Sequence, residues 1–176
     1  MHKPILMEDL LKQSKHNKKI QIMKICLTCS LGGHLDEMLQ LLEAFDEDNF
    51  FFIVQGESVL KRKPPGIKTY YVKYDYNGIA IPKLFIEMLR TLFENLKILF
   101  IEKPDVLITT GSEYVVAVCY FAKLLGKKII FIESLCRVNT LSGTGKLLYP
   151  ISDLFLVQWK SLTKRYEKAK YWGRVI

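Results

Sequence analysis

Short runs of apolar residues alternate with longer amphipathic stretches along most of the chain. Ile25–Cys29, Asn49–Gln55, Thr69–Val72, Asp105–Thr109, Lys128–Ile132 and Leu154–Val157 are four to seven residues long and almost wholly apolar, the pattern of strands buried on both faces. Between them, Leu35–Phe45, Pro82–Ile101, Tyr114–Leu125 and Leu162–Ala169 repeat their apolar positions every three to four residues and predict helices. Strands of this kind alternating with helices predict an α/β fold, a doubly wound parallel sheet of Rossmann-like type. Residues 1–22 are polar and Lys-rich, and their short apolar patches permit an amphipathic segment but no membrane span. The compact domain is therefore expected over 23–176.

The segment Pro82–Ile101 departs from an ordinary surface helix. Its charges fall at Lys83, Glu87, Arg90, Glu94 and Lys97, one narrow stripe at 3.6 residues per turn. Nearly everything else is Leu, Ile, Phe or Met, more than one sheet-facing arc requires. Burial on two sides, a partner subunit, or a membrane interface can each account for the excess. Five charges argue against a transmembrane span. Peripheral membrane contact is the functional reading, through Phe85, Met88, Leu89, Leu92, Phe93 and Leu96, with Lys61, Arg62 and Lys63 available to anionic headgroups.

Charge sharpens this picture. The formal charge of +8 resides at the ends: residues 1–23 carry five Lys against Glu8 and Asp9, and residues 160–176 carry six Lys or Arg against Glu167. An anionic partner or surface, or merely solvated basic tails, fits that distribution. No nucleic-acid module interleaves aromatics with these charges, which argues against nucleic acid. Cys26-Leu27-Thr28-Cys29 has C-x-x-C spacing but lies in a buried strand with no second pair, so small buried thiols are expected rather than a redox or metal site. Free thiols without a signal peptide suit the cytoplasmic side of a membrane.

Three strand-to-helix junctions carry the candidate chemistry, and ligands in such sheets bind beyond the carboxyl ends of the strands. The first is Ser30-Leu31-Gly32-Gly33-His34, where glycines admit a close ligand, the helix start favours an anion and His34 can move a proton. A plain tight turn explains the glycines equally well, and neither dinucleotide nor P-loop spacing is met. The second, Thr109-Thr110-Gly111-Ser112-Glu113, offers hydroxyls and an acid placed to cap the next helix rather than to catalyse. The third places Glu133 and Arg137 after a strand, able to meet sugar hydroxyls and phosphate, or only each other. Ser142-Gly143-Thr144-Gly145-Lys146 reads as a loop entering a short helix.

Taken in order, these stretches resemble a known family. Ser30–His34 with Glu37-Met38-Leu39, Lys103–Gly111, Val118–Gly126, Phe131–Ser134, Thr144–Tyr149, Asp153–Trp159 and Tyr171–Arg174 are similar to the acceptor-side subunit of the split N-acetylglucosaminyltransferase of lipid-linked oligosaccharide synthesis and its prokaryotic counterparts. The resemblance implies the N-terminal half of a GT-B glycosyltransferase that requires no metal or other cofactor. It implies a small donor-binding glycosyltransferase subunit as partner, a polyprenyl-diphosphate-linked sugar as acceptor, and a peripheral place on the cytoplasmic face of the membrane. Carried over by position, Gly32, Gly33 and His34 would contact the acceptor diphosphate, with His34 a candidate base, and Gly111, Glu113 and Glu133 would line the acceptor side; Ser30, Thr110 and Arg137 of the same loops complete the expected acceptor site. The polar 1–22 segment departs from the family's usual N-terminal anchor, and Ser112-Glu113 lacks a second glycine. Two rivals remain at this point: a non-catalytic membrane-recruiting scaffold, and a nucleotide-binding oxidoreductase or epimerase using Glu57 on ribose.

Overall fold

In the computed structural model, residues 23–45, 49–55, 66–73 and 81–175 are described. The expectations for residues 1–22, Glu57 and Lys61–Lys63 fall outside that set. The elements are β1 (Ile25–Ser30), α1 (Gly33–Leu39), β2 (Phe50–Gln55), β3 (Thr69–Val72), α2 (Ile81–Glu102), β4 (Val106–Gly111), α3 (Val115–Leu124), β5 (Lys128–Ile132), α4 (Gly143–Leu148), β6 (Leu154–Leu156), α5 (Lys160–Thr163) and β7 (Ala169–Lys170). The strands form one sheet in the order β3-β2-β1-β4-β5-β6-β7. Every adjacent pair is parallel.

Period-two alternation divides the strand residues between two cores. Cys26, Phe51, Ile53, Leu107 and Phe131 point to the side covered by α2, α3 and α4, where Leu99, Val118 and Leu148 meet them. Leu27, Phe52, Val54 and Ile108 point to the other side, against Leu35 and Met38 of α1. The doubly wound expectation therefore holds. Strand order reverses at β1, between β2 and β4, and this crevice is where such sheets receive ligands.

Two sequence expectations are corrected. The Leu35–Phe45 helix is α1, starting earlier at Gly33, followed by a separate 3-10 turn over Leu42–Ala44. The closing helix expected over Leu162–Ala169 is a single turn, α5, then β7. Leu162, Tyr166 and Ala169 have helical spacing, but Tyr166 N–H bonds the Leu162 carbonyl in a turn and Ala169 pairs with Phe155 as an edge strand. The cysteines behave as the spacing suggested: Cys26, Cys29 and Cys119 are free and buried. Burial pushes the Cys29 and Cys119 thiols up to about 12, so they stay protonated.

At the amino ends of the strands, Glu102 closes the fold. Its nearly buried carboxylate accepts from Lys24 Nζ and Lys68 Nζ, both at 2.6 Å, and from the Tyr70 hydroxyl. Burial alone would raise this acid, but hydrogen bonds from Lys24, Lys68 and Tyr70 outweigh it and hold the carboxyl at about 2, below its ordinary 4.5. A depressed folded-state value contributes stability that is complete above pH 4.5 and lost as pH falls towards 2. The full shift corresponds to about 3 kcal/mol, and solvent around the two exposed ammonium groups reduces it to about 1–2 kcal/mol. Urea melts at pH 7 should find Glu102→Gln less stable by that amount, with the gap to wild type closing between pH 4.5 and 2. An equal gap at both ends of that range would remove the carboxylate's charge as the cause.

Candidate functional site

The turn after β1 is built on Gly32. Its φ of 88° lies where side chains are disfavoured, and its carbonyl accepts from Leu35 N (2.9 Å) and Asp36 N (3.0 Å), which starts α1 at Gly33. His34 thus occupies the first turn of α1, one strand away from the end of β4. Thr110 Oγ1 donates to the His34 carbonyl at 2.8 Å. The imidazole lies over Gly111: a Cβ added there would be 3.4 Å from His34 Cε1, on a backbone with φ of 111°. Glycine at 111 therefore serves both the turn and the room for the ring. His34 Nδ1 is buried beside Gly111 and has no hydrogen-bond partner among the described residues.

The ring opens on a cleft of about 1000 Å³ at the carboxyl edge of the sheet. Ser30, His34, Gln55, Ser112, Glu113 and Tyr114 line one side, Thr91 and Leu92 of α2 another, and Arg137 with Ser142–Thr144 and Leu147 a third. Of the residues predicted from sequence, Ser30, His34, Glu113 and Arg137 are brought together here. Gly32 and Gly33 are exposed at the start of α1, while Thr110 and Gly111 are buried behind His34. Glu113 is exposed and does not cap α3, whose N-cap position is Tyr114 without a side-chain cap.

Glu133 is corrected from a ligand-facing acid to an internal one. It is 1% exposed. Its Oε1 accepts from Ser134 N (3.0 Å), and its Oε2 from Ser142 N (2.9 Å) and Ser142 Oγ (3.2 Å). Burial raises this carboxyl above its ordinary value, against the hydrogen bonds of Ser142 and Ser134 and the field of Arg137. Glu133 therefore shapes the loop between β5 and α4.

Sequence reading missed the rest of that scaffold. Glu37 of α1, one turn beyond His34 and buried, accepts from Ser134 Oγ and Leu135 N, both at 2.9 Å. It links the two walls that carry His34 and Arg137. The loop's carbonyls are taken from the opposite side: Gln158 Nε2 donates to Glu133 O (3.1 Å), Trp159 Nε1 to Leu135 O (2.6 Å) and Ser161 Oγ to Val138 O (2.8 Å). Carboxylates hold the loop's N–H groups and donors hold its carbonyls, so Arg137 projects from a fixed base. The available signals were an acid at a core position of α1 and Ser142 three residues before Gly145, whose N–H caps onto Ser142 Oγ at 2.9 Å.

Along α2, side chains 81–85, 87 and 88 lie outside the described residues, Phe85 and Met88 among them. Ile86, Leu89, Phe93, Phe100 and Ile101 are exposed. Leu92 and Leu96 do not join them: both pack against the core, and Leu92 lines the cleft. The inward arc also carries Thr91 and Asn95, buried, with Asn95 Nδ2 donating to the Thr91 carbonyl at 2.7 Å. Neighbouring α3 adds exposed Phe121 and Leu124, and the Leu125 that follows it, to the apolar outer surface. No helix among the described residues is long and apolar enough to cross a membrane.

Solved structures with this fold include MurG of Acinetobacter baumannii, with a TM-score of 0.61 at 16% identity, covering 79% of this chain and 42% of that one. A UDP-GlcNAc 2-epimerase from Methanocaldococcus jannaschii superposes with a TM-score of 0.59 at 16% identity, covering 86% and 46%. These likenesses concern the fold, and this chain spans less than half of either. The human UDP-N-acetylglucosamine transferase subunit ALG14 is 30% identical, over 88% of this chain and 83% of its own length. The Schizosaccharomyces pombe subunit of the same name is 33% identical over 82% and 79%, and that of Candida albicans 32% over 92% and 82%. Residues 25–175 match the family described as oligosaccharide biosynthesis protein Alg14 like, and the chain belongs to that family.

Proposed function

We propose that this chain is the acceptor-side subunit of a two-chain glycosyltransferase that moves N-acetylglucosamine, or a related sugar, from a UDP-sugar to a polyprenyl-diphosphate-linked acceptor. The observation carrying the reading is the cleft that His34 and Arg137 line together, in a member of a family whose relatives are named as transferase subunits. A guanidinium suits a diphosphate, since it offers several fixed N–H donors and is charged at any physiological pH. This chain matches less than half of the solved neighbours' length, and a separate donor-binding subunit supplies the other half of the enzyme.

In the reaction the acceptor hydroxyl attacks the anomeric carbon, the bond from that carbon to the UDP oxygen breaks, and UDP departs with the electron pair. The hydroxyl proton passes to the His34 imidazole, which acts as the general base. Arg137 holds the acceptor diphosphate while this happens, and Ser30 and Glu113 face the same ligand. The remaining family-implied residues act behind it, Thr110 and Gly111 by seating His34 and Gly32 by turning the chain into α1.

The lipid tail also has a surface to meet. Leu92 faces the cleft while Leu89 and Phe93, on the same helix, face outwards beside the apolar residues of α3. This chain thus sits peripherally on the cytoplasmic face of the membrane, holds the acceptor there and recruits the donor subunit.

Co-expression with a small UDP-sugar-binding partner should yield a complex that transfers labelled sugar to a short-chain polyprenyl-diphosphate acceptor. Absence of both complex and transfer would end the proposal. Within the complex, Phe93→Asp should weaken binding to anionic vesicles about tenfold or more, because an aromatic side chain leaves the apolar phase and a charge replaces it. Unchanged vesicle binding with loss of the partner would assign this face to the other subunit instead.

A further inference from the structure

Ser112 holds a backbone conformation that side chains avoid. Its φ is 140°, directly after Gly111 at 111°. A residue with a Cβ is strained there and glycine would not be, so the chain carries a cost for having a side chain at this point. That side chain reaches across the sheet edge, where Ser112 Oγ donates to Gln55 Oε1 at 3.1 Å. Both residues line the cleft. Gln55 ends β2 in register with Ser30 at the end of β1, and Ser112 follows β4 on the other side of β1. The pair therefore spans the floor of the crevice where strand order reverses.

The chemistry of this pair is neutral and two-sided. A serine hydroxyl that donates to an amide oxygen keeps its lone pairs for an incoming donor. The Gln55 amide keeps two N–H donors, which no described residue takes. Such a pair matches a group that both donates and accepts without charge, as sugar hydroxyls and acetamido groups do. Arg137 stands at the other end, on the loop after β5. From β2 to β5 is three strand spacings, about 14 Å. One cleft thus has a polar end, where Ser112 and Gln55 stand beside the Glu113 carboxylate, and a cationic end at Arg137, an arrangement that suits an acceptor joining a sugar to a diphosphate.

We infer that Ser112 and Gln55 form the subsite for the acceptor's sugar, reading its hydroxyl or acetamido group, while Arg137 takes the diphosphate. The inference rests on the reading of the cleft as an acceptor site. It also accounts for a strained serine where glycine would fold more easily.

The test compares two ligands on the co-purified two-chain complex. One is a short-chain polyprenyl-diphosphate-N-acetylglucosamine as acceptor, the other the same polyprenyl diphosphate without sugar as a competitive inhibitor. Ser112→Gly should raise the KM for the sugar-bearing acceptor about tenfold, the effect of losing one hydrogen bond with its partner left in place, and leave the inhibition constant of the sugar-free lipid unchanged. Its melting temperature should equal or exceed that of wild type, the opposite direction to a purely structural role. Gln55→Ala should give the same ligand discrimination without relief of strain, and Arg137→Ala should weaken both ligands. Unchanged acceptor KM in Ser112→Gly and Gln55→Ala, or equal weakening of both ligands, overturns the sugar subsite. If Arg137→Ala also leaves both ligands unaffected while transfer continues, it is the acceptor reading of the cleft that falls.

Discussion

Alanine at position 34 should lower kcat of the assembled two-chain enzyme about 10²–10⁴-fold, the usual range for removing a positioned acid–base group and equivalent to about 3–5 kcal/mol of barrier. The complex should still form and melt close to wild type. The backbone bond from Thr110 Oγ1 goes to the His34 carbonyl and survives the change, and α1 keeps its core contacts through Leu35 and Met38. Among the described residues the Nδ1 atom has no partner to lose. The KM for acceptor should move far less than kcat, because proton removal occurs only as the sugar bond forms. Transfer at the wild-type rate would place the base in the partner subunit and leave this chain as a recruiting scaffold. Both outcomes are read from one titration of acceptor against the purified complex.

The sheet could be read from the sequence because its central strands are buried on both faces. Phe50-Phe51-Phe52-Ile53-Val54 leaves no polar position for solvent, and that pattern has few other meanings at this length. The junction after β1 was legible for a similar reason, since Gly-Gly-His following a short apolar strand compresses turn, helix start and side chain into five residues. What escaped was everything set by contacts distant in sequence. Glu37 and Ser134 are 97 positions apart, and nothing near either one announces the other. Glu133 follows a strand just as a ligand-binding acid would. Only the arrival of Ser142, brought back by the loop, shows that its oxygens are spent internally. The same limit applied to α2. A helix apolar nearly all round gives its charged stripe by periodicity, but which apolar flank meets the cleft depends on where the sheet lies. Leu92 and Leu96 fell on the inner flank, Leu89 and Phe93 on the outer.

The internal use of Glu133 leads to the largest stability effect expected in the molecule. Gly145 lies within α4, where helix propensity alone would make Gly145→Ala stabilising by about 1 kcal/mol. The geometry reverses that sign. An added Cβ would sit 2.2 Å from Glu133 Oε2, inside any tolerable contact, and a tight 3.0 Å from Ser142 Oγ. The carboxylate cannot swing away cheaply, because it is 1% exposed and bonded at the same time to the amides of Ser134 and Ser142. Displacing it overpacks the start of α4 and strips a buried charge of its donors, together about 3–5 kcal/mol and far more than the propensity gain. Urea unfolding of Gly145→Ala should show that loss, with a fall in melting temperature of roughly 10 °C for a domain this size. Glu133→Ala alone should cost about 2–3 kcal/mol, from amides left unpaired and a small cavity. The double variant separates the causes. If the collision is with Glu133, Gly145→Ala added to Glu133→Ala should cost almost nothing further, a coupling of about 3–5 kcal/mol between the two positions. Additive losses would mean that Ser142 or the helix backbone, and not the buried carboxylate, is what keeps residue 145 a glycine.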